Sequence, residues 1–141
     1  MENYLTNLIN NKQLSHANIL VIDALNGLTL IDKLIKQQLV HPADYLINNE
    51  IVPVTINDAR TINSFIQKSR LASQIKIVAI INAKRLTTEA ANALLKNLEE
   101  PPPSTIIFLT VEAIEGLIPT IRSRCQVLWP MRNNQQIDSL I

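Results

Sequence analysis

The chain has 141 residues, of which 47% are hydrophobic, and its 13 Lys and Arg residues are matched by 12 Asp and Glu residues. This length and apolar content predict one globular domain with a real core and exclude a disordered chain. A formal net charge of +1 gives no basis for strong nonspecific binding of nucleic acid. The single cysteine excludes an internal disulfide, and the longest apolar run, 77–81, is too short to cross a membrane. We therefore expect a cytoplasmic protein.

Short apolar segments alternate with helical patterns along the chain. In chain order, the patterns predict a strand at 19–22, a helix at 28–40, weak strands at 44–47 and 51–54, a helix at 55–71, a strand at 75–81, a helix at 87–99, a strand at 106–111, a helix at 114–123 and a strand at 126–129. The unbroken Ile/Val character of 75–81 is typical of a strand that is covered on both faces. Three prolines at 101–103 end the preceding helix, because proline lacks the backbone N–H.

This alternation predicts an α/β domain in which about five parallel strands form a sheet with helices on both faces. Residues 1–130 form this domain in our interpretation, and the polar segment 131–141 is a linker or the beginning of a further domain. Ligands of such sheets bind at the carboxyl ends of the strands. The residues that follow the strands at 19–22 and 75–81 therefore decide whether a nucleotide site exists.

The segment that begins at Asp23 reads as a degenerate phosphate-binding loop. A working loop has the pattern G-x-x-x-x-G-K-[ST], in which glycine backbone and a lysine surround the phosphates. Of these positions, the chain keeps one glycine as Gly27, replaces the lysine with Leu28 and retains a hydroxyl as Thr29. Asp23 would repel phosphate, and Lys33 lies about one helical turn too late. The alternative interpretation is a plain turn between a strand and a helix.

A second defect follows the strand at 75–81. A nucleotide-binding strand of this kind would present Asp or Glu at position 81 or 82, where a carboxylate holds Mg²⁺. This chain has Ile81 and Asn82 there, followed by Lys84 and Arg85. Because the two defects remove the same function, we predict that the chain uses no nucleotide cofactor and no metal, and that it does not hydrolyse ATP.

No other set of side chains predicts catalysis. His16 and His41 are far apart in the sequence and form no metal-ligand pattern with Cys125. Glu99 and Glu100 could form an acid pair, but the favoured interpretation is two solvated charges at a helix end.

Two later segments resemble the AAA+ clamp loaders of the DNA polymerase III holoenzyme. Residues 91–102, ANALLKNLEEPP, are similar to the AANALLKxLEEPP segment of that family, and residues 118–125, IPTIRSRC, to its LPTIRSRC segment. The LSHA at 14–17 also resembles the start of the family's first strand. The resemblance extends to about residue 130, and it implies that the predicted sheet is an AAA+ core.

The resemblance also implies a role for the Ser-Arg-Cys motif, Ser123-Arg124-Cys125. In this family the gamma/tau subunits carry a working phosphate loop, whereas the delta-prime class commonly lacks it and keeps Ser-Arg-Cys, which is the combination seen here. Arg124 would then act as an arginine finger on the ATP of an adjacent gamma/tau-type subunit, in a complex that also contains a delta subunit and contacts DNA. From the residues alone, Arg124 is a surface arginine near a helix end, Ser123 a local cap and Cys125 a small buried hydrophobe.

The chain also departs from the family. It has one cysteine where family members carry four zinc ligands, and it ends at Ile141 without the helical lid and the collar domain. A fragment of a longer protein and a reduced form both fit this length. The water-positioning polar residue falls at about Val111, with Thr110 beside it. A stand-alone α/β interaction module and a weak nucleotide-binding ATPase are the alternative functions.

Overall fold

The computed structural model describes residues 2–130, and a five-stranded parallel sheet forms their centre. The strands are β1 Ala17–Val21, β2 Tyr45–Asn48, β3 Lys76–Ile80, β4 Thr105–Val111 and β5 Gln126–Leu128. Their order across the sheet is β2-β3-β4-β1-β5, and every neighbouring pair is parallel. The predicted fold class, an α/β domain with a five-stranded parallel sheet, is confirmed.

Helices cover both faces of this sheet. Helices α1 Glu2–Asn10 and α2 Ala24–Gln37 pack on one face, and α3 Ile56–Gln67, α4 Thr88–Glu99 and α5 Pro119–Arg122 pack on the other. Successive strand residues supply the two cores in turn, because side chains alternate across a pleated strand. The α1–α2 core receives Leu20, Ile77 and Phe108, and the α3–α5 core receives Ile19, Val78 and Leu109.

Several predicted elements have different bounds, and one helix was missed. The helix predicted at 28–40 begins at Ala24 and ends at Gln37, and α1 was not predicted at all. The predicted strand at 51–54 is absent from the described sheet, where Val54 forms only an isolated bridge with Leu86. Pro53 lies inside that segment, and a proline cannot donate to a strand ladder. The linker or domain start predicted at 131–141 lies outside the described residues.

The helix predicted at 114–123 is in fact two short elements. A 3-10 turn spans Ile114–Gly116, and α5 begins three residues later at Pro119. Proline disfavours helical backbone in the residue before it and suits the first position of a helix. Ile118 is accordingly extended, and the helix starts again after it. No helix in the described part of the chain is long and apolar enough to cross a membrane.

The buried carboxylate of Asp44 organises the loop that leads into β3. It accepts hydrogen bonds from the backbone N–H groups of Leu71, Ala72 and Ser73 at 2.7, 2.9 and 2.7 Å. These bonds, with that of Leu71 the strongest, hold the pKa of Asp44 well below its ordinary value of 3.8. The ionised carboxylate is therefore part of the folded state.

This arrangement predicts a specific loss of stability in acid. Because the folded-state pKa of Asp44 is depressed, its contribution is present above about pH 4 and is lost as the pH falls further. Asp44→Asn should lower the melting temperature at pH 7 and flatten the decline of stability between about pH 5 and pH 3. The control is Asp32→Asn, which removes an exposed carboxylate paired with Lys36. An Asp44→Asn protein with the wild-type acid profile would contradict this account.

Candidate functional site

The connection between β1 and α2, where a phosphate-binding loop would lie, is very short. Only Ile22 and Asp23 separate the end of β1 from Ala24, where α2 begins. A phosphate-binding loop needs about eight residues of its own pattern at this point. The structure places Gly27, Leu28 and Thr29 within α2, so the chain has no separate loop of that length before the helix.

Asp23 caps the N-terminus of α2. Its carboxylate accepts hydrogen bonds from the backbone N–H of Asn26 at 3.0 Å and from the Asn26 side chain at 2.8 Å. The backbone bond is the main reason why the pKa of Asp23 is lowered. Helix N-termini bind phosphate in nucleotide-binding proteins because their free N–H groups and dipole attract anions. Here the chain's own carboxylate already occupies that position.

The three residues that the motif pattern assigned to the loop have structural contacts. A Cβ on Gly27 would lie 3.0 Å from Cγ2 of Thr110 and 3.1 Å from Cγ2 of Ile22, so glycine permits close packing of α2 on the sheet. Leu28 packs against the α1–α2 core. The hydroxyl of Thr29 donates to the carbonyl oxygen of Leu25 at 3.0 Å. These contacts account for all three residues without a ligand.

The tight contact at Gly27 predicts that Gly27→Ala destabilises the fold. Alanine gains about 1 kcal/mol of helix propensity, but overpacking against a buried β-branched residue costs about 1–3 kcal/mol. We expect a net loss of about 1 kcal/mol in the free energy of unfolding, measured by denaturant titration. Thr110→Ser removes the contacting methyl group and keeps the hydroxyl. In that background the alanine should cost less, and an alanine that stabilises the wild type would refute the packing role.

The end of β3 also lacks the group that a metal–nucleotide site needs. Asn82 occupies the position where a carboxylate was sought, and its backbone is left-handed with φ of 54°. Asparagine tolerates this conformation better than most residues. Its N–H donates to Oγ1 of the buried Thr110 at 2.8 Å. The hydroxyl considered for positioning water therefore holds the chain turn after β3.

Arg85 likewise has a structural environment. Its guanidinium donates to the carbonyl oxygens of Ile81 and Val52 and to the side-chain oxygen of Asn48, at 2.7, 2.8 and 2.7 Å. These bonds tie the segment after β2 to the end of β3. Of the adjacent cations, only Lys84 lines the cleft beside the strand ends.

A cleft of about 540 Å³ remains at the carboxyl ends of β1, β3 and β4. Its walls are mostly small or apolar, with charged side chains at the rim, and the lining includes Ile22, Ala24, Asn82, Lys84, Val111, Glu112 and Glu115. Two of these are acidic, so the rim does not favour a polyanion. Within residues 2–130, no cluster of three or more His, Cys, Asp or Glu side chains could hold a metal ion. His16 is exposed, and His41 caps a 3-10 turn through Nδ1.

The Ser-Arg-Cys motif follows directly after α5. Nη1 of Arg124 and Oγ of Ser123 both donate to the carbonyl oxygen of Thr120, at 2.8 and 3.1 Å. Nε of Arg124 lies 3.5 Å from Oε2 of Glu99 at the end of α4. Cys125 packs against the α3–α5 core, and burial raises the pKa of its thiol to about 11. A thiol that stays protonated at neutral pH is a poor nucleophile.

The motif and the cleft lie at opposite ends of the strands, the motif at the amino ends and the cleft at the carboxyl ends. Arg124 precedes the first residue of β5, whereas the cleft follows the last residues of the parallel strands β1, β3 and β4. The five residues of β1 alone span roughly 16 Å. Arg124 and its own cleft therefore do not form one site.

No local signal in the sequence predicted the contacts of two residues in this arrangement, Thr110 and Glu99. Thr110 lies far along the chain from Gly27 and Asn82, which it contacts from β4. Glu99, interpreted as a solvated charge, is exposed but also lies beside Arg124. Only the packing of separate elements brings these pairs together.

Comparisons with known proteins identify the family of the chain. The family model described as "DNA polymerase III, delta subunit" matches residues 12–132. DNA polymerase III subunit delta' of Haemophilus influenzae is 40% identical over 92 residues, which are 62% of this chain and 27% of that protein. The chain thus spans about a quarter of the length of this curated relative.

Two solved structures share the fold. A gamma subunit-related protein of DNA polymerase III from Thermotoga maritima superposes with a TM-score of 0.79 at 29% identity, covering 91% of this chain and 45% of that one. The DNA clamp loader delta protein of Bacillus subtilis gives 0.65 at 14% identity, covering 92% and 42% of the two chains. The second likeness concerns the fold alone. Together these matches confirm the family and the AAA+ type of fold that the sequence predicted.

Proposed function

We propose, from the premise that this chain belongs to the DNA polymerase III delta subunit family, that it is a non-catalytic clamp-loader subunit which supplies Arg124 to ATP on a neighbouring subunit. The supporting observation is that Arg124 and the chain's own cleft lie at opposite ends of the parallel strands. An arginine so placed can meet a nucleotide only on another chain.

Assembly geometry supports this proposal. When copies of one fold associate head to tail, different edges of two neighbouring subunits face each other. In such an arrangement the edge with Arg124 lies against the strand-end cleft of the next subunit. A nucleotide held by that subunit would then have a guanidinium from this chain at its phosphates.

The chemistry of Arg124 suits this role. A guanidinium stays charged at all physiological pH values and presents N–H groups that match phosphate oxygens. An arginine supplied by a neighbouring chain can stabilise the charge that develops on a transferring phosphoryl group. The Arg124 side chain is 31% exposed, so it is accessible while still held by contacts with its own chain.

The cleft of this chain is proposed to be inactive. Its helix N-terminus is capped by Asp23, the connection before α2 is two residues long, and Asn82 replaces a metal-holding carboxylate. The Asp23 cap removes the favourable charge, the short connection removes the phosphate cradle, and Asn82 removes the metal ligand. The chain would therefore support hydrolysis on its neighbour without hydrolysing ATP itself.

The partners that follow are a gamma/tau-type ATPase subunit on the Arg124 side and a delta subunit in the same complex. Contact with DNA would occur within the complex, since the net charge of +1 does not favour independent binding. This role in replication belongs to the cytoplasm.

Replacement of Arg124 tests the proposed role. In a complex reconstituted with the gamma/tau-type subunit, Arg124→Ala should lower ATP turnover at the adjoining site by more than about tenfold, because the transition state loses a charge partner. Arg124→Lys should restore little, since an ammonium lacks the planar fork. The free chain should still fold, since the contacts that Arg124 forms with Thr120 and Glu99 lie at the surface.

The control is Lys36→Ala, which removes an exposed cation on α2. It should leave turnover at the wild-type value. Full turnover by the Arg124→Ala complex would contradict the arginine-finger proposal.

A further inference from the structure

We propose that Glu99 is a positioning residue for Arg124, so that the end of α4 sets the orientation of the guanidinium before the partner arrives. This inference rests on the proposed function, since it concerns the same arginine. Oε2 of Glu99 lies 3.5 Å from Nε of Arg124. On its other side, the guanidinium donates through Nη1 to the carbonyl oxygen of Thr120 at 2.8 Å.

Of these two contacts, the one through Nη1 is a hydrogen bond, whereas Nε is buried without a hydrogen-bond partner among the described residues and has the Glu99 carboxylate beside it as an opposite charge. Both contacts leave the end of the guanidinium available. An arginine carries N–H groups on Nε, Nη1 and Nη2 in one fixed plane. Two contacts at different atoms of that plane restrict its rotation. Within residues 2–130, Nη2 forms no hydrogen bond, and Nη1 retains a second N–H beyond the one given to Thr120. A phosphate could therefore be bound by the terminal amino groups while Glu99 keeps its contact with Nε.

Regular helical structure places both groups that contact the guanidinium. Glu99 is the last residue of α4, and the backbone N–H of Glu100 closes the helix by donating to the carbonyl oxygen of Lys96 at 2.9 Å. Pro101 follows and fixes the direction in which the chain leaves. On the α5 side, the N–H of Arg124 donates to the carbonyl oxygen of Ile121 at 3.0 Å. The contact between Glu99 and Arg124 therefore links two helices that pack on the same face of the sheet.

The strength of the pair fits orientation rather than immobilisation. The side chains of Glu99 and Arg124 are 65% and 31% exposed, and exposed ion pairs are weak. Such a pair biases the rotamers of a long side chain yet lets the guanidinium adjust to a phosphate. Because the carboxylate lies beside Nε, the terminal amino groups could bind a phosphate while this contact is kept.

The test compares five complexes, each reconstituted from the full chain and the gamma/tau-type subunit. They contain the wild type, Glu99→Gln, the control Glu100→Gln, Arg124→Ala, and Glu99→Gln combined with Arg124→Ala. Glu99→Gln should lower the kcat of ATP hydrolysis about threefold to fivefold with an unchanged KM for ATP. Glu100→Gln removes the neighbouring exposed charge and should have no effect. In the Arg124→Ala background, Glu99→Gln should cause no further loss, because it acts through the missing guanidinium.

The outcomes separate this inference from the proposed function. If Arg124→Ala lowers kcat but Glu99→Gln does not, the positioning role is wrong and the arginine finger stands. A rise of kcat in Glu99→Gln would show that the carboxylate competes with phosphate, which also overturns the inference. So would an equal fall of kcat in the wild-type and Arg124→Ala backgrounds, since Glu99 would then act elsewhere. An Arg124→Ala complex with full activity would overturn the proposed function itself.

Discussion

The structure at the carboxyl ends of the strands depends on one interaction, the capping of α2 by Asp23. The carboxylate satisfies the N–H of Asn26 and allows the helix to begin after only two intervening residues. A helix that begins so early leaves no chain for a phosphate cradle and brings Gly27 onto the sheet. The same short side chain that stabilises the helix start also places a negative charge where a phosphate would lie.

Thr110 connects this helix start to the neighbouring strand end. Its methyl group lies against Gly27, and its hydroxyl accepts the N–H of Asn82, so one buried residue joins α2, β4 and the turn after β3. In a nucleotide-binding protein of this architecture, these three places would surround the phosphates and the metal. Here they pack against or hydrogen-bond to one another through Thr110, and the working surface is proposed to lie at the other ends of the strands, with Arg124.

The sequence predicted the sheet because Ile/Val runs such as 75–81 and the helical spacing of 87–99 are strong local signals. It did not predict that α2 begins at Ala24, because capping by Asp23 depends on how closely the helix follows β1. The break before α5 has a local signal in Pro119, because proline disfavours helical backbone in the residue before it. The contact of Glu99 with Arg124 could not be predicted, since it depends on how α4 and α5 pack.

The most direct test of the account is a titration of the chain with ATP and Mg²⁺, followed by calorimetry. We expect binding weaker than a Kd of about 1 mM for the wild type. The same weak binding is expected for Asp23→Ser, which removes the charge but keeps a cap, because the phosphate-binding loop itself is missing and charge repulsion is not the main obstacle. Micromolar binding by the wild-type chain would contradict the central claim that its own strand-end cleft is not a nucleotide site.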